Sequence, residues 1–166
     1  DASGYLTPHS DVAALMVLEH QTHMMNLLTR VGWEFRVAAH ETRGTRCVFA
    51  EPVTPGDPVL RSAVRALVDY MLFVDEAPLP DAIVGNAGFE AVFERRGPFD
   101  RRGRSLRELD LDRRLFRYPC SYMIYTTAFE ALPTDARDAI YRRLGQVLSG
   151  AADPDLRYGH LSPDDR

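Results

Sequence analysis

Lysine is absent from this chain, so all 20 of its cationic side chains are arginines. This absence excludes Schiff-base chemistry, lysine nucleophiles and the phosphate-binding lysine of P-loop proteins. Long apolar runs are also missing, because the longest, from Val12 to Leu18, is far shorter than the roughly 20 residues that cross a bilayer. We therefore expect no transmembrane segment in this chain.

Short catalytic and cofactor motifs are missing as well. The sequence contains no glycine-rich phosphate loop, serine elbow or zinc-protease motif, and no Cys-x-x-Cys-His for covalent attachment of haem. The two cysteines, Cys47 and Cys120, lack the spacing of a metal site. Two buried free thiols or one disulfide remain open, and export from the cytoplasm would favour the disulfide.

The composition is that of a folded domain. The 166 residues suit one domain with a sizeable core, and 45% hydrophobic with 27% charged residues is ordinary for a globular protein. The formal net charge of −4 predicts no general attraction to nucleic acid. The chain begins at Asp1 and not at a methionine, and we expect further sequence upstream.

Helix start and stop signals predict an all-α fold, an irregular bundle of about five helices with a long Arg-rich ordered loop. Asp57-Pro58 and Pro133 mark the strongest starts, because proline suits the first turn of a helix. The predicted helices cover residues 11–30 with a continuation or separate helix over 33–41, then 57–76, 89–95, 119–132 and 133–150. They form one domain over 1–150, followed by a polar, loosely attached tail over 151–166.

The first helix carries the main candidate site. On a helical wheel, Glu19 and His23 lie in one polar stripe, whereas His20 lies about 100° from Glu19 on an apolar flank. Apolar residues cover nearly all of the remaining surface, which predicts a central helix. Three interpretations stay open: a Glu19–His23 hydrogen bond that orients the imidazole, a catalytic acid–base pair, or a metal site that includes His20.

Haem is a further cofactor option for this helix, although no cofactor at all is the plainer expectation. A b-type haem needs only one or two axial ligands, here from His20, His23, Met24, Met25 or Met71. A ferritin-like di-metal bundle is disfavoured because the chain contains no Glu-x-x-His. The charges of the second helix, Arg61, Arg65 and Asp69, have the spacing of a surface ion-pair stripe.

The Arg-rich loop is a second candidate. Residues 95–117 contain nine arginines against four carboxylates, a local net charge of +5. Such a loop is either pinned by Arg–carboxylate pairs or binds an anion or an acidic partner. The contact residues that we predict are Arg101, Arg102, Arg104, Arg113 and Arg114.

Two features border that loop. Ser105 and Glu108 have capping-box spacing, which predicts one or two helical turns after Ser105. An aromatic stripe with steps of 4, 3 and 4 follows Pro119, and we expect it to pack in the core with each hydroxyl partnered. The stripe consists of Tyr118, Tyr122, Tyr125 and Phe129.

Two stretches, TPHSDVAALMVLEHQTHMMNLLTR and GRSLRELDLDRRLFRYPCSYMIYTTAFEALP, resemble segments of an uncharacterised bacterial domain. That domain occurs in hypothetical exported proteins, some of them linked to c-type cytochromes. The resemblance spans most of the chain and implies a periplasmic or otherwise exported location and a redox neighbourhood. It brings no catalytic residue with it.

These observations favour an accessory or protein-interaction domain of an exported bacterial protein, in an electron-transfer assembly. We expect a protein partner and a larger assembly, not a stand-alone enzyme. The alternative is a metal- or haem-binding helical protein that uses the Glu19 and His23 face of the first helix. An enzyme built around the same pair would need a concave pocket at Glu19.

Overall fold

The computed structural model describes residues 11–44, 57–84, 88–150, 157–163 and 165. Its first element is a single helix, α1 (Val12–Gly44). The Oδ1 atom of Asp11 accepts the N–H of Ala14 at 3.0 Å and so satisfies a free donor in the first turn. No break occurs at Gly32. This glycine is buried, and a Cβ there would lie 3.2 Å from Cδ2 of Leu132, so glycine lets that side chain approach the helix closely.

Helix α2 (Pro58–Met71) begins as predicted. The Oδ1 atom of Asp57 accepts the N–H of Val59 at 2.7 Å, and Pro58 occupies the first turn. The helix ends at Met71, before the predicted Glu76. The chain turns there with positive φ angles at Phe73 (56°) and Asp75 (62°), and the turn places Phe73 in the core. Side-chain burial thus overrides helical continuation.

The second half of the chain holds three more helices, α3 (Phe89–Glu94), α4 (Thr127–Glu130) and α5 (Thr134–Leu148). The single helix predicted after Pro119 is wrong. A 3-10 helix (Tyr122–Tyr125) and the short α4 take its place, separated by the extended residue Thr126. The Oγ1 atom of Thr126 accepts the N–H of Phe129 at 3.4 Å, so a new helix begins there. Helix α5 has the predicted start and end.

The Arg-rich loop is ordered by its own short contacts. Glu108 accepts the N–H of Ser105 at 2.8 Å, and the Oγ atom of Ser105 accepts the N–H of Arg107 at 3.2 Å. One of the two capping-box bonds therefore forms, because the Ser105 hydroxyl bonds to Arg107 and not to Glu108, and these contacts close a turn that no helix follows. Asp100 accepts the N–H groups of Arg102 and Arg104 and closes a turn at residues 100–104. A single antiparallel bridge joins Leu109 and Phe116.

Helix α1 lies at the centre, in contact with α2, α3, α4 and α5. The described residues contain five α-helices and no sheet, so the predicted all-α fold is confirmed. None of the described helices combines the length and apolarity that crossing a membrane requires. The largest fully buried side chains come from all parts of the sequence: Met24, Val31, Leu67, Val68, Met71, Leu72, Phe116, Tyr122, Phe129, Ile140, Val147 and Tyr158.

The C-terminal segment corrects one expectation. Residues 151–156 lie outside the described part, but 157–163 are not loosely attached. Tyr158 and Leu161 are 2% and 5% exposed and belong to the core. The Tyr158 hydroxyl donates a hydrogen bond to Asp69 of α2, and His160 Nε2 is hydrogen-bonded to the backbone oxygen of Leu72 at 2.7 Å. The polar composition of this segment therefore gave no indication that Tyr158 and Leu161 pack in the core.

We expect Tyr158→Ala to lower the free energy of unfolding by about 3–5 kcal/mol, because a large buried ring is lost and a cavity remains. The control is Pro163→Ala at an exposed position nearby, which should lower stability by no more than about 1 kcal/mol, because the loss of proline acts only on the unfolded chain. Urea unfolding of both variants measures the difference. Equal stabilities would show that the segment is not part of the core.

Candidate functional site

Glu19 and His23 lie on the surface of α1. Both side chains are exposed, as are Asn26 and Arg30, which lie within about 20° of Glu19 on the helical wheel. The His23 ring packs on Tyr70 of α2, with ring centres 4.2 Å apart. Burial raises the pKa of the Tyr70 hydroxyl, and the negative charges of Glu19 and Glu76 add to that effect. The predicted stripe therefore faces solvent along the α1–α2 border.

His20 occupies a different environment from its neighbours on α1. It is 4% exposed, and its Nε2 atom is hydrogen-bonded to Oγ of Ser121 at 2.7 Å. The two residues are 101 positions apart in the chain. The sequence did not indicate a hydrogen-bond partner for His20 on the apolar flank of α1. That partner is Ser121, at the start of the 3-10 helix.

Four aromatic rings surround the His20 imidazole. Tyr70 and Phe73 stack on it with ring centres 5.3 Å away, and Phe116 and Tyr122 lie at 5.2 and 6.1 Å. Burial among these rings lowers the pKa of His20 to about 4, and the neighbouring His23 contributes in the same direction. His20 is therefore neutral at physiological pH.

Ser121 joins three parts of the fold. Its side chain is fully buried, its N–H donates to the backbone oxygen of Met71 at 2.8 Å, and its Oγ accepts the N–H of Met123 at 3.2 Å. A histidine beside a serine is the arrangement that activates a serine nucleophile. Here the hydroxyl is enclosed and already hydrogen-bonded, so the pair connects α1, the end of α2 and the 3-10 helix.

The structure separates the residues predicted to bind a metal or haem. Glu19 and His23 are exposed, whereas His20, Met24 and Met71 are buried, and His20 would have to leave Ser121 to act as a ligand. Across the described ranges, no group of three or more His, Cys, Asp or Glu side chains is close enough to hold a metal ion. The metal and haem sites remain predictions.

Cys120 is partly buried, and burial raises its pKa to about 11. The thiol therefore stays protonated at neutral pH, which makes it a poor nucleophile and a poor metal ligand. Cys47 lies outside the described residues, so the choice between free thiols and a disulfide stays open.

The Arg-rich loop uses several of its arginines internally. Arg104 pairs with Asp100 at 2.7 Å, and Arg117 pairs with Glu108 at 3.2 Å. Arg107 donates to the backbone oxygen of Gly97 at 2.8 Å and lies over the Tyr122 ring, 4.1 Å from its centre. Local pairing therefore accounts for much of the positive charge of this loop.

Of the five arginines predicted to contact a partner, two are bonded within the loop. Arg104 is engaged with Asp100, and Arg114 donates to the backbone oxygen of Arg117 at 2.6 Å. The side chains of Arg101, Arg102 and Arg113 are exposed. Arg104 is exposed as well, so four of the five predicted contact arginines lie at the surface.

A groove of about 870 Å³ lies between α2 and α5. Arginines of both helices line it beside apolar side chains, and two aspartates of α5 partly balance their charge. Within the described residues, the Arg65 guanidinium that borders this groove also faces Asp69 at 3.7 Å, the ion-pair spacing predicted from sequence. The charged members of the lining are Arg61, Arg65, Asp135, Asp138, Arg142 and Arg143.

One long surface of α1 remains apolar and exposed, and we call it the outer face. Leu15, Leu18 and Trp33 are 54%, 57% and 66% exposed, and Met25 is 41% exposed. The exposed threonines between these residues complete the surface. The outer face consists of Leu15, Leu18, Thr22, Met25, Thr29 and Trp33.

No protein-family model, curated protein or solved structure matches this chain. Its function has to be inferred from its own residues. Sequence reasoning missed two features: the His20–Ser121 pair and the outer face. No spacing signals a contact across 101 residues, but the outer-face residues recur at helical positions and were visible as a second apolar stripe.

We expect stability to fall as the pH drops from about 6.5 to about 4. The unfolded chain binds a proton at His20 near pH 6.5, whereas the folded chain does so only near 4, so acid favours unfolding. The loss attributable to His20 is about 3 kcal/mol. Urea unfolding across this range should show a flatter slope for His20→Gln and an unchanged slope for Asn26→Gln, a change at an exposed side chain of α1 that has no ionisable group. Parallel profiles for the protein and His20→Gln would contradict the prediction.

The His20–Ser121 hydrogen bond should appear as a coupling free energy. Ser121→Ala leaves a buried imidazole nitrogen without its partner, which costs about 1–3 kcal/mol. In a double-mutant cycle with His20→Gln, the two effects should be non-additive by at least about 0.5 kcal/mol. The exposed Ser62→Ala serves as the control and should add simply to His20→Gln. Simple addition for Ser121→Ala would refute the coupling.

Proposed function

We propose that this chain is a protein-interaction domain of an exported bacterial protein, and that it binds its partner through the outer face of α1. The observation that supports this function is the exposure of Leu15, Leu18, Met25 and Trp33 along one side of a single helix. Large apolar side chains that are exposed together on one helix face are a mark of protein-interaction sites. Water exclusion at such a stripe is the driving force for association.

The chemistry of the outer face fits helical recognition. A rigid helix that presents apolar residues at spacings of three and four suits a partner with an amphipathic helix or a matching groove. Trp33, at 66% exposure, is the residue type most enriched among energetic hot spots. Thr22 and Thr29 lie in the middle of the outer face and make it less hydrophobic than an all-leucine surface.

Two further points bear on the setting of this domain. The resemblance to exported proteins linked to c-type cytochromes favours a periplasmic electron-transfer assembly as the place where it acts. The exposed Arg101, Arg102 and Arg113 would add electrostatic attraction to an acidic partner surface. A role in docking requires neither a metal nor a haem in this chain.

Site-specific photo-crosslinking tests the proposed function. A photo-reactive phenylalanine analogue at position 18 or 33 of the chain should give crosslinks to a specific protein in cells of the producing bacterium. The matched control is the same analogue at position 84, because Val84 is 90% exposed but lies in the loop between α2 and α3 and not on α1. We expect crosslinks only from the α1 positions.

The identity of the crosslinked protein refines the result. A c-type cytochrome or another exported redox protein would support the electron-transfer setting. Crosslinks of equal yield and identity from positions 18, 33 and 84, or no crosslink from either α1 position, would refute docking through the outer face.

A further inference from the structure

The outer face has the spacing of a coiled-coil seam. Leu15, Leu18, Thr22, Met25 and Thr29 alternate in steps of three and four, which is the pattern of the a and d positions of a heptad repeat. Trp33 lies one residue after the next d position, which Gly32 occupies. Two helices packed through such positions interlock their side chains as knobs and holes.

Helix α1 has a second stripe that its own fold already covers. Val17, His20, Met24, Leu28 and Val31 are buried against the other helices. This inner stripe and the outer face lie about 150° apart around the helix. Because the inner stripe fixes the rotation of α1, the outer face is held toward solvent and is available as a rigid surface.

The outer face is complementary to itself when two copies run antiparallel. Matching a to d positions around the middle of the stripe puts Leu18 level with Thr29 of the second copy. The same register puts Thr22 level with Met25 of the second copy, and the seam ends at Thr29 because Gly32 is buried against Leu132. Large side chains therefore face small ones over about one and a half helical turns on either side of a two-fold axis.

The charges beside the seam have the same symmetry. Glu19 and Arg30 are both exposed and lie about 20° apart on one flank of the outer face. In an antiparallel pair that flank faces its own copy, so Glu19 of one chain lies within one helical turn of Arg30 of the other. The two-fold axis repeats the contact, which gives two pairs of opposite charge.

From this complementarity we infer that the partner of the outer face is a second copy of this chain, bound as an antiparallel helix pair. The inference rests on the proposed function, since it names the partner of the same surface. The symmetric contact is the isologous type that forms closed dimers. The opposite charges set the antiparallel direction, as flanking charges do in coiled coils.

Sedimentation equilibrium of the purified 166-residue chain tests for the dimer. We expect a monomer–dimer equilibrium that Leu18→Glu shifts to monomer, with a dissociation constant at least about tenfold larger because a charge enters a seam position. Val84→Glu adds the same charge at a residue that is 90% exposed in a loop and should leave the dimer unchanged. Circular dichroism and urea unfolding verify that each variant is folded.

Charge reversal tests the antiparallel register. Glu19→Arg alone and Arg30→Glu alone each create two like-charge contacts, so each should weaken the dimer by about tenfold. The double variant Glu19→Arg with Arg30→Glu restores opposite charges and should recover the original dissociation constant. The register, and with it the inference, would be refuted by a dissociation constant that neither single change alters. A double variant that dimerises more weakly than either single variant would refute it as well.

The failure of this inference and that of the proposed function are distinguishable. A chain that is monomeric at all concentrations, but crosslinks from positions 18 and 33 to a different protein, overturns self-association and keeps the interaction domain. A dimer that Leu18→Glu does not weaken overturns self-association through the outer face. A monomer without any crosslink from α1 overturns both.

Discussion

The hydrogen bond between His20 and Ser121 is the contact on which the arrangement of this fold depends. Burying an imidazole and a hydroxyl among aromatic rings is costly unless each satisfies the other, so the bond admits one rotation of α1 against the rest. Ser121 is also bonded to the backbone of Met71, so the end of α2 is fixed by the same residue. With His20 directed inward, the opposite side of α1 has to face solvent. The burial of the His20–Ser121 pair and the exposure of the outer face thus follow from the same rotation of α1.

The local signals in the sequence predicted local structure well. Asp57 and Pro58 begin α2, and Pro133 precedes α5, because caps and proline act within a few residues. Predictions failed where a distant side chain decides the outcome. Helix α2 ends before Glu76 because Phe73 turns into the core. The sequence could not predict the partner of His20 for the same reason, because only the tertiary fold brings Ser121 close to it.

The functional site shows a related limit. The wheel correctly placed Glu19 and His23 on one polar stripe and His20 apart from them, because that placement follows from helical geometry alone. Whether each side of α1 is covered depends on the number and position of the packing helices. A helix that is apolar nearly all round predicts a central position, and α1 is central. Its four helical neighbours still leave Leu15, Leu18 and Trp33 in water.

Trp33 offers the most direct test of association through the outer face, because it is the only tryptophan in the chain and lies on that face. Its fluorescence spectrum and acrylamide quenching can be followed over a range of chain concentrations. The predicted result is a water-exposed emission spectrum in dilute solution that shifts to the blue, with reduced quenching, as the chains associate. An emission spectrum and quenching that stay constant while the chains associate would contradict burial of the outer face.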